Sequence, residues 1–328
     1  MGTPKISVCI PTYNYGRYIS QAMESVLCQS FTDFELLVVD DCSNDSTDEV
    51  VRRYARQDSR IRYIRHQTNL GMVQNWNYCL RQANGKYIKF MFGDDFFVSV
   101  QSLEKMLSAI ESDESISLVS SARMVVNDKS VKTNEWGYCG QDIIVSGFDV
   151  ICQCLLKNDN LIGEPTAVMF KATQSLRGFN QQYRQIVDLE MWFHLLEQGR
   201  YAFLAEPLCA FRIHDQQQTA KVGKEVLIVE WVRICQEYLG KKYIKFGFVE
   251  MVFLPYDSIY QIWKLCYKQN ELDEQIAHIY ITDYGALKFY LLFPIYKIYK
   301  PLRKLYLYIK CNLFKTRFSG SDRSCQSK

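Results

Sequence analysis

The sequence predicts an α/β fold: a mostly parallel sheet flanked by helices, followed by a helical C-terminal extension. Over the first 110 residues, short β-rich apolar runs alternate with stretches of helical periodicity, which is the pattern of βαβ units. From about residue 222 onward the chain has a helical, aromatic-rich pattern and the alternation stops. We therefore predict one α/β domain over residues 1–220 and a helical region over residues 221–328.

Strands and helices are predicted to alternate through the first 110 residues. In chain order the strands are "ISVCIPTY", "FELLVVDD", "RIRYIRH" and "KYIKFMF", and the helices are "YISQAMESVLCQ", "SNDSTDEVVRRYARQ", "LGMVQNWNYCLRQA" and "SVQSLEKMLSAIES". The second strand is a continuous apolar run, which is typical of a strand buried on both faces. The second helix begins with acids and ends with arginines, an order that suits the helix dipole.

The rest of the α/β domain has a looser pattern. "SISLVSSARMVV", "PTAVMF" and "YAFLAEPLCAFRIH" predict strands, whereas "FDVICQCLL" and "IVDLEMWFHLLEQG" predict helices. Asn127 to Ile143 is interpreted as a loop that contributes to substrate specificity.

Composition narrows the class of protein. The net charge is only +3, so the electrostatics of the whole chain do not indicate nucleic acid as a partner. Twelve cysteines occur without a CxxC pair, which argues against a metal–thiolate site and fits free thiols in a reducing cytoplasm. No N-terminal signal peptide is expected, and the longest apolar runs, such as Phe289 to Tyr296, are too short for a transmembrane helix.

Three polar clusters follow predicted parallel strands. "PTYN" follows the first strand, "DDCSNDS" the second and "GDD" the fourth, so all three are expected at one edge of the sheet. Each cluster alone is also typical of a surface turn. The paired carboxylates Asp94 and Asp95 suit Mg²⁺ or Mn²⁺ that is shared with substrate phosphates. P-loop and GxGxxG dinucleotide motifs are absent after the first strand.

Two further groups of polar residues are candidates for a site. Asp188 and Glu190 lie early in an apolar helix and point apart by roughly 200° of helical rotation. One acid can face a cleft, although acids there also complement the helix dipole. Arg212 and His214 lie on one face at the end of a strand, where they can contact phosphates or a metal, or have a structural role.

The motifs from "ISVCIPTYNYGRY" through "NLGMVQNWNYCLRQANGKYIKFMFGDD" resemble glycosyltransferase family 2, which has the GT-A (Rossmann-like) fold. The resemblance is dense over residues 5–110, thinner over "IGEPTAVMF", "DLEMWFHLLEQG" and "PLCAFRIH", and absent beyond about residue 220. It implies a nucleotide-diphosphate sugar donor, Mn²⁺ or Mg²⁺, and inversion at the anomeric carbon. The implied class is therefore a metal-dependent glycosyltransferase with a DXD-type motif.

The resemblance also implies roles for individual residues. Asp188 would be the general base and Asp95 the direct metal ligand. His214 is predicted as a further metal ligand from its place at the end of a strand. The residues predicted to bind the nucleotide sugar are Pro11, Thr12, Tyr13, Asp40, Asp41, Asn69, Asn75, Asn77, Asp94 and, from the same strand end, Arg212. Among these, Asp40 would accept a hydrogen bond from the imide N–H of the base.

The chain departs from the family pattern at several positions. Val187 stands where an acid often precedes the base, Glu190 replaces a common Asp, Trp76 replaces a common Arg, and Gly93 begins the DXD-type triplet. These departures leave the identity of the donor open.

The segment 284–318 contains eight Lys or Arg residues and no acid. On a helical projection Lys297, Lys300, Arg303, Lys304 and Lys310 fall within an arc of roughly 140°. This composition favours an amphipathic helix on an anionic membrane surface, at the inner, cytoplasmic face of the cell membrane. The alternative is a helix that packs on the catalytic domain with its basic face in water.

These observations predict an inverting glycosyltransferase that moves a sugar to a hydroxyl of a glycan acceptor. A membrane-bound chain suits an acceptor linked to polyprenyl diphosphate, in the biosynthesis of a bacterial surface polysaccharide. Transfer to a lipid phosphate or to a protein is an alternative, as is a non-catalytic scaffold that binds sugar nucleotides. A nucleotidyltransferase would need a Gly-rich, basic loop after the first strand, and "PTYNYGR" fits that poorly.

Overall fold

The computed structural model describes residues 2–215, 217, 223–247, 251–254, 256–257, 259–261, 264, 288, 290–300 and 302. The chain divides into two compact units, Met1–Cys154 with Asn160–Val226, and Leu155–Asp159 with Leu227–Lys328. The domain boundary predicted after residue 220 stays a prediction, since residues 218–222 lie outside the described residues.

The first half of the first unit confirms the predicted alternation of strands and helices. Its elements are β1 (Ile6–Thr12), α1 (Ile19–Leu27), β2 (Phe34–Asp40), α2 (Thr47–Ala55), β3 (Ile61–Arg65), α3 (Met72–Gln82) and β4 (Tyr87–Phe90). β1 pairs in parallel with β2 and with β4, and β3 extends the sheet beyond β2. Every residue of β1 and β2 is buried, as the continuous apolar runs predict.

The second half of this unit completes a ten-stranded sheet of mixed direction. Its elements are β5 (Phe96–Phe97), α4 (Ser102–Glu111), β6 (Ile116–Val126), β7 (Lys132–Trp136), β8 (Ile143–Ser146), α5 (Gly147–Lys157), β9 (Val168–Lys171), α6 (Val187–Leu196) and β10 (Arg200–Arg212). The strand order is β3-β2-β1-β4-β9-β6-β10-β5, with β7 beside β6 and β8 beside β10. The sheet is parallel from β3 to β4, and β9 is antiparallel to both of its neighbours.

Three of these strands differ from the sequence-based prediction. The loop predicted over Asn127 to Ile143 contains β7, whose residues "KTNEW" are polar and mostly exposed. The strand forms because it pairs antiparallel with β6, and its sequence has no apolar alternation that would predict it. β8 pairs with β10, and the two-residue β5 is too short to give a periodic signal.

Polar contacts also join the amino-terminal edge of the sheet, opposite the carboxyl ends of β1 and β2. The carboxylate of Glu35 accepts hydrogen bonds from Ser7 Oγ and from Asn84 Nδ2, the latter at 3.2 Å. The Asn84 N–H also donates to Glu35, at 2.7 Å. These contacts stabilise the start of the sheet without approaching its carboxyl edge.

The helix α7 (Lys224–Leu239) lies mostly in the second unit, which resumes at Leu227 after the Leu155–Asp159 segment. This unit also contains an aromatic cluster. Phe253, Tyr256 and Tyr296 are buried together, with ring centroids 4.8 Å apart for Tyr256 and Tyr296. Residues 290–300 are helical, whereas most of the predicted membrane segment 284–318 lies outside the described residues. In the part of the chain that the structure describes, no helix is long and apolar enough to cross a membrane.

Candidate active site

A cleft of about 530 Å³ lies at the carboxyl ends of β1, β2 and β4. The residues that the sequence singled out and that line it are Pro11, Thr12, Tyr13, Asp41, Asn69, Asn75, Asp94 and Asp188. They come from five separate stretches of chain, which the topology brings together. Five other candidates, Asp40, Asn77, Asp95, Arg212 and His214, are not among its lining residues.

Asp41, not Asp40, faces the cleft after β2. The two carboxylate oxygens of Asp41 accept hydrogen bonds from the Leu70 and Gly71 N–H groups at 2.7 and 2.9 Å, so the side chain is held at the start of α3. Asp40 is fully buried, and its carboxylate accepts from the Ser43 N–H and hydroxyl at 2.9 and 2.5 Å and from Tyr63 Oη at 3.0 Å. Asp40 therefore supports the turn after β2 and does not line the cleft, and its contact with a nucleotide base stays a prediction.

The asparagines near α3 also divide between the cleft and the interior. Asn69 and Asn75 line the cleft, and Asn75 has a buried Oδ1 without a hydrogen-bond partner. Asn77 is two residues further on and points about 200° away. Its amide accepts from the Phe179 N–H and donates to the Phe179 carbonyl, at 2.6 and 2.9 Å. Asn77 therefore holds the segment before α6 and does not line the cleft, and its contact with a nucleotide stays a prediction.

The carboxylates of the "GDD" turn point in different directions. Asp94 lines the cleft, and its Oδ2 lies 3.0 Å from Nε2 of His214. Asp95 is buried, and its two oxygens accept from the Arg212 N–H at 2.8 Å and from Thr166 Oγ1 at 2.6 Å. Burial and the nearby Asp94 carboxylate raise the pKa of Asp95 well above its ordinary value. Asp94 is therefore better placed than Asp95 to meet a ligand in the cleft.

Arg212 holds this turn from behind. Its guanidinium is buried, with Nε donating to the Asp94 carbonyl at 2.7 Å and Nη2 to Gln21 Oε1 at 2.7 Å. Nη1 donates to the Asn127 carbonyl at 3.0 Å, and the group stacks over the Tyr18 ring. These contacts show that the side chain organises the turn, while its contact with a nucleotide sugar stays a prediction.

A buried lysine stands behind the carboxylate pair, and the sequence analysis missed it. The Lys89 ammonium donates to the carbonyls of Phe90, at 2.8 Å, and Thr166. Burial lowers its pKa to about 8, while the nearby Asp95 carboxylate opposes that shift. Lys89 is thus largely cationic at neutral pH and offsets part of the negative charge of the turn. Its only sequence signal was a charge inside an apolar strand.

Asp188 also lines the cleft, and it lies in the first turn of α6. Oδ1 accepts from the Leu189 N–H at 2.8 Å, and Oδ2 accepts from Asn160 Nδ2 at 3.2 Å. Burial raises the pKa of Asp188 to about 7, and the Glu164 carboxylate adds to the shift. Glu190 points away from the cleft and forms a two-bond ion pair with Arg177, at 2.7 and 2.9 Å.

Glu164 is a further acid of the cleft that sequence reasoning missed. It precedes Pro165 at the start of a one-turn 3₁₀ helix, and its carboxylate lies 2.5 Å from Arg123 Nε. Trp76 and Phe92, also in the lining, stack with ring centroids 5.1 Å apart. A single acid before a proline matches no catalytic motif, so only the three-dimensional structure identifies it.

The donor atoms at Asp94 suit a divalent cation whose coordination is completed by substrate oxygens. Among the described residues there is no group of three or more His, Cys, Asp or Glu side chains that could hold a metal ion. Asp94 and His214 nevertheless offer a carboxylate oxygen and an imidazole nitrogen side by side. Mg²⁺ and Mn²⁺ in phosphate-transfer sites commonly use one or two protein ligands together with substrate phosphates and water. The residues present fit such an ion.

Comparison with known proteins places the cleft in context. A family model described as "Glycosyl transferase family 2" matches residues 7–172. The chain is 31% identical over 230 residues to "Uncharacterized protein MT1568" of Mycobacterium tuberculosis, covering 67% of this chain and 70% of that protein. It is 38% identical over 104 residues to "Putative teichuronic acid biosynthesis glycosyltransferase TuaG" of Bacillus subtilis, covering 32% and 41% of the two chains.

Solved structures share the fold at low identity. TarS 1-349 of S. aureus, in complex with UDP-GlcNAc, matches with a TM-score of 0.61 and 19% identity over 81% of this chain and 74% of that one. The mannosyltransferase PcManGT of Pyrobaculum calidifontis, in complex with GDP-Man and Mn²⁺, matches with a TM-score of 0.53 and 15% identity over 96% and 88%. These matches confirm the predicted GT-A fold.

The buried Arg212 provides a test of this arrangement. Arg212→Met should lower the free energy of unfolding by on the order of 3 kcal/mol, because several buried acceptors lose their donor. Arg17→Met is the matched control, since Arg17 also stacks on Tyr18 but is exposed. It should cost less than about 1 kcal/mol. Urea unfolding of both variants measures the difference, and equal stabilities would contradict the structural role of Arg212.

Proposed function

The chain belongs to glycosyltransferase family 2, and from that membership we propose that it transfers a sugar, with inversion, from a nucleotide-diphosphate sugar to a hydroxyl of a glycan acceptor. The observation that carries the proposal is that two kinds of group share one cleft. Asp94, which lies beside His214, and Asp188, whose pKa is raised to about 7, both line it. An acid with a pKa near the working pH is suited to proton transfer.

The nucleoside half of the donor would lie against Pro11, Thr12 and Tyr13. Asp41 would accept a hydrogen bond from the ring N–H of a uracil or guanine base, because it is the carboxylate after β2 that lines the cleft. Asn75 supports a polar ligand in this part of the cleft. Its buried Oδ1 has no hydrogen-bond partner and can accept from a donor on the nucleoside. The complexes of TarS with UDP-GlcNAc and of PcManGT with GDP-Man support a nucleotide-sugar donor of this general kind.

Asp94 and His214 would hold Mn²⁺ or Mg²⁺ next to the diphosphate. When bound, such an ion neutralises the charge that develops on the leaving nucleoside diphosphate. The Mn²⁺ in the PcManGT complex supports this choice of ion. Asp95 would support the site indirectly. Its two oxygens accept hydrogen bonds from Thr166 Oγ1 and from the Arg212 N–H, and the second of these holds the end of β10.

Asp188 would act as the general base. Its carboxylate accepts the proton of an acceptor hydroxyl as that oxygen forms a bond to the anomeric carbon. The bond from that carbon to the diphosphate oxygen breaks on the opposite face, and the nucleoside diphosphate leaves with the electron pair. The raised pKa makes Asp188 a better base than an exposed aspartate, whose pKa is about 3.9.

A glycan in a bacterial surface polysaccharide is the proposed acceptor. The similarity to TuaG, whose name gives teichuronic acid biosynthesis, supports that pathway class. Transfer to a lipid phosphate or to a protein would use the same donor site and differ only in the acceptor. The non-catalytic scaffold is the less favoured alternative, because donor binding alone requires no base on the far side of the cleft.

A lipid-linked acceptor would be reached from the inner, cytoplasmic face of the membrane. Leu291, Ile295, Ile298 and Leu302 are each more than half exposed and recur at helical spacing on one side of residues 290–302. The opposite side, with Phe293 and Tyr296, packs into the aromatic cluster of the second unit. An exposed apolar stripe within a segment of eight basic residues and no acid supports binding to an anionic membrane.

Asp188→Asn should reduce transfer by about 10²–10⁴-fold, because the amide cannot accept the proton. The assay measures nucleoside diphosphate release from a panel of UDP- and GDP-sugars, with a bacterial membrane lipid extract as acceptor. Asp149→Asn is the matched control, since Asp149 also lies in the first turn of a helix and burial also raises its pKa. Activity should persist in that control, and an active Asp188→Asn would remove the base assignment.

Asp94→Asn should abolish the stabilisation of the protein by nucleoside diphosphate with Mn²⁺. A thermal-shift screen of UDP, GDP, CDP and ADP, each with and without Mn²⁺, identifies the nucleotide in the wild-type chain. The apparent Kd for that nucleotide should rise at least about tenfold in Asp94→Asn, since a charged ligand group is lost. Asp113→Asn, at an exposed ion pair, should bind normally. A shift that survives Asp94→Asn would contradict this metal assignment.

Ile298→Glu should weaken binding to anionic vesicles by about tenfold or more. An isoleucine side chain that becomes buried in the membrane contributes about 1.5–3 kcal/mol to the binding free energy. Co-sedimentation with phosphatidylcholine vesicles that contain phosphatidylglycerol measures the bound fraction. Leu176→Glu alters an exposed apolar residue of the first unit and serves as the control. Wild-type binding that is the same without phosphatidylglycerol, or unchanged by Ile298→Glu, would contradict the membrane proposal.

A further inference from the structure

A short turn before the 3₁₀ helix contacts the carboxylate of Asp188. The amide of Asn160 joins the two: its Oδ1 accepts from the Ile162 and Gly163 N–H groups at 3.2 and 3.0 Å, while its Nδ2 donates to Asp188 Oδ2 at 3.2 Å. One side chain therefore shapes the turn and contacts the acid of the cleft at the same time.

The turn is itself fastened to the helix that carries Asp188. Trp192 is buried and donates its indole N–H to the Gly163 carbonyl at 3.0 Å. Gly163 has φ +117°, and a Cβ on it would lie 3.3 Å from Arg123 and Ala167, so a side chain would be strained there. Residues 188 and 192 are one helical turn apart. The same helix therefore binds Asn160 through Asp188 and the Gly163 carbonyl through Trp192. Small movements of α6 would carry Asn160 with Asp188.

The charged groups that act on Asp188 are Glu164, which disfavours its anion, and Arg123, which favours it. Arg123 is itself engaged by Glu164, at 2.5 Å. Asn160 adds a neutral donor to this set, and a donor to a carboxylate favours the ionised form. Each carboxylate oxygen has about two acceptor sites. With the Leu189 N–H on Oδ1 and Asn160 on Oδ2, the carboxylate has a fixed plane and retains capacity for an acceptor hydroxyl.

We propose that Asn160 is the positioning residue of the general base, holding the Asp188 carboxylate in the plane that receives the acceptor proton. This inference rests on the proposed role of Asp188. Asn160 is not among the residues that line the cleft, and it contacts the base through its hydrogen bond to Asp188. Its removal changes the protonation and orientation of the base while the donor site at Asp94 and Asp41 keeps its contacts.

Asn160→Asp is the sharpest variant, because it is isosteric and keeps the Oδ1 acceptor that shapes the turn. The substitution replaces the donor with a second carboxylate oxygen, which disfavours the Asp188 anion. The acid limb of kcat/KM, near pH 7 in the wild type, should move upward by more than about one pH unit, since a like charge and a lost donor act together. Asn160→Ala should move it upward by about half to one unit, with a lower plateau.

The matched control is Asn84→Asp. Asn84 Nδ2 also donates to a carboxylate, Glu35, at 3.2 Å, but at the opposite edge of the sheet. The Asn84→Asp variant should therefore leave the acid limb of the kcat/KM profile at its wild-type pH. The panel assay of nucleoside diphosphate release, run from pH 5.5 to 9.5, reports all three profiles, and melting temperatures report folding.

Three results test this inference and separate it from the proposed function. An active Asp188→Asn variant would overturn both, because no base would then need positioning. An inactive Asp188→Asn, combined with an unmoved acid limb in folded Asn160→Asp and Asn160→Ala, would overturn the role of Asn160 alone. A loss that is the same at every pH, and equal to that of Asn84→Asp, would likewise mark Asn160 as a structural residue only.

Discussion

The site depends on the buried contact between Arg212 and the turn that carries Asp94 and Asp95. The Arg212 N–H binds Asp95, and its guanidinium binds the Asp94 carbonyl, so the end of β10 is fastened to the residues that follow β4. A buried cation and a buried acid are costly unless each has hydrogen-bond partners. Here the Asp94 carbonyl accepts from the guanidinium, and the Arg212 backbone N–H donates to the Asp95 carboxylate. Because Asp95 is held inward, Asp94 is turned towards the cleft and towards His214.

The same division recurs wherever the sequence offers two neighbouring polar groups. One member of each pair supports the fold and the other lines the cleft: Asp40 and Asp41, Asn77 and Asn75, Asp95 and Asp94, Glu190 and Asp188. Along a strand or an extended turn, adjacent side chains point to opposite sides, and on a helix residues two apart diverge by about 200°. A cleft of acids is therefore built on an inner layer of hydrogen-bonded polar groups, which holds its geometry before any ligand binds.

Much of the fold could be predicted from the sequence, since β1 and β2 are continuous apolar runs and the first three helices have clear periodicity. β7 could not, because its polar residues form a strand only through pairing with β6. For the site, the position of the polar clusters at one sheet edge was predictable from topology. Which member of a pair faces the cleft was not, because that depends on partners distant in sequence, such as Thr166 for Asp95. Glu164 gave no signal, since its role arises only from its position beside Arg123 and Asp188.

We propose that Asp94, which lines the cleft, and His214, which lies beside it, hold the cation of a nucleotide-sugar site that also contains the base Asp188. Anomalous scattering from crystals grown with Mn²⁺ and the nucleoside diphosphate that stabilises the chain tests it most directly. The account predicts one strong manganese peak bonded to Asp94 and His214 and to the diphosphate, with Asp95 still bound to Thr166 and Arg212. A manganese peak on Asp95 instead, or a nucleotide bound in the cleft with no metal, would contradict it.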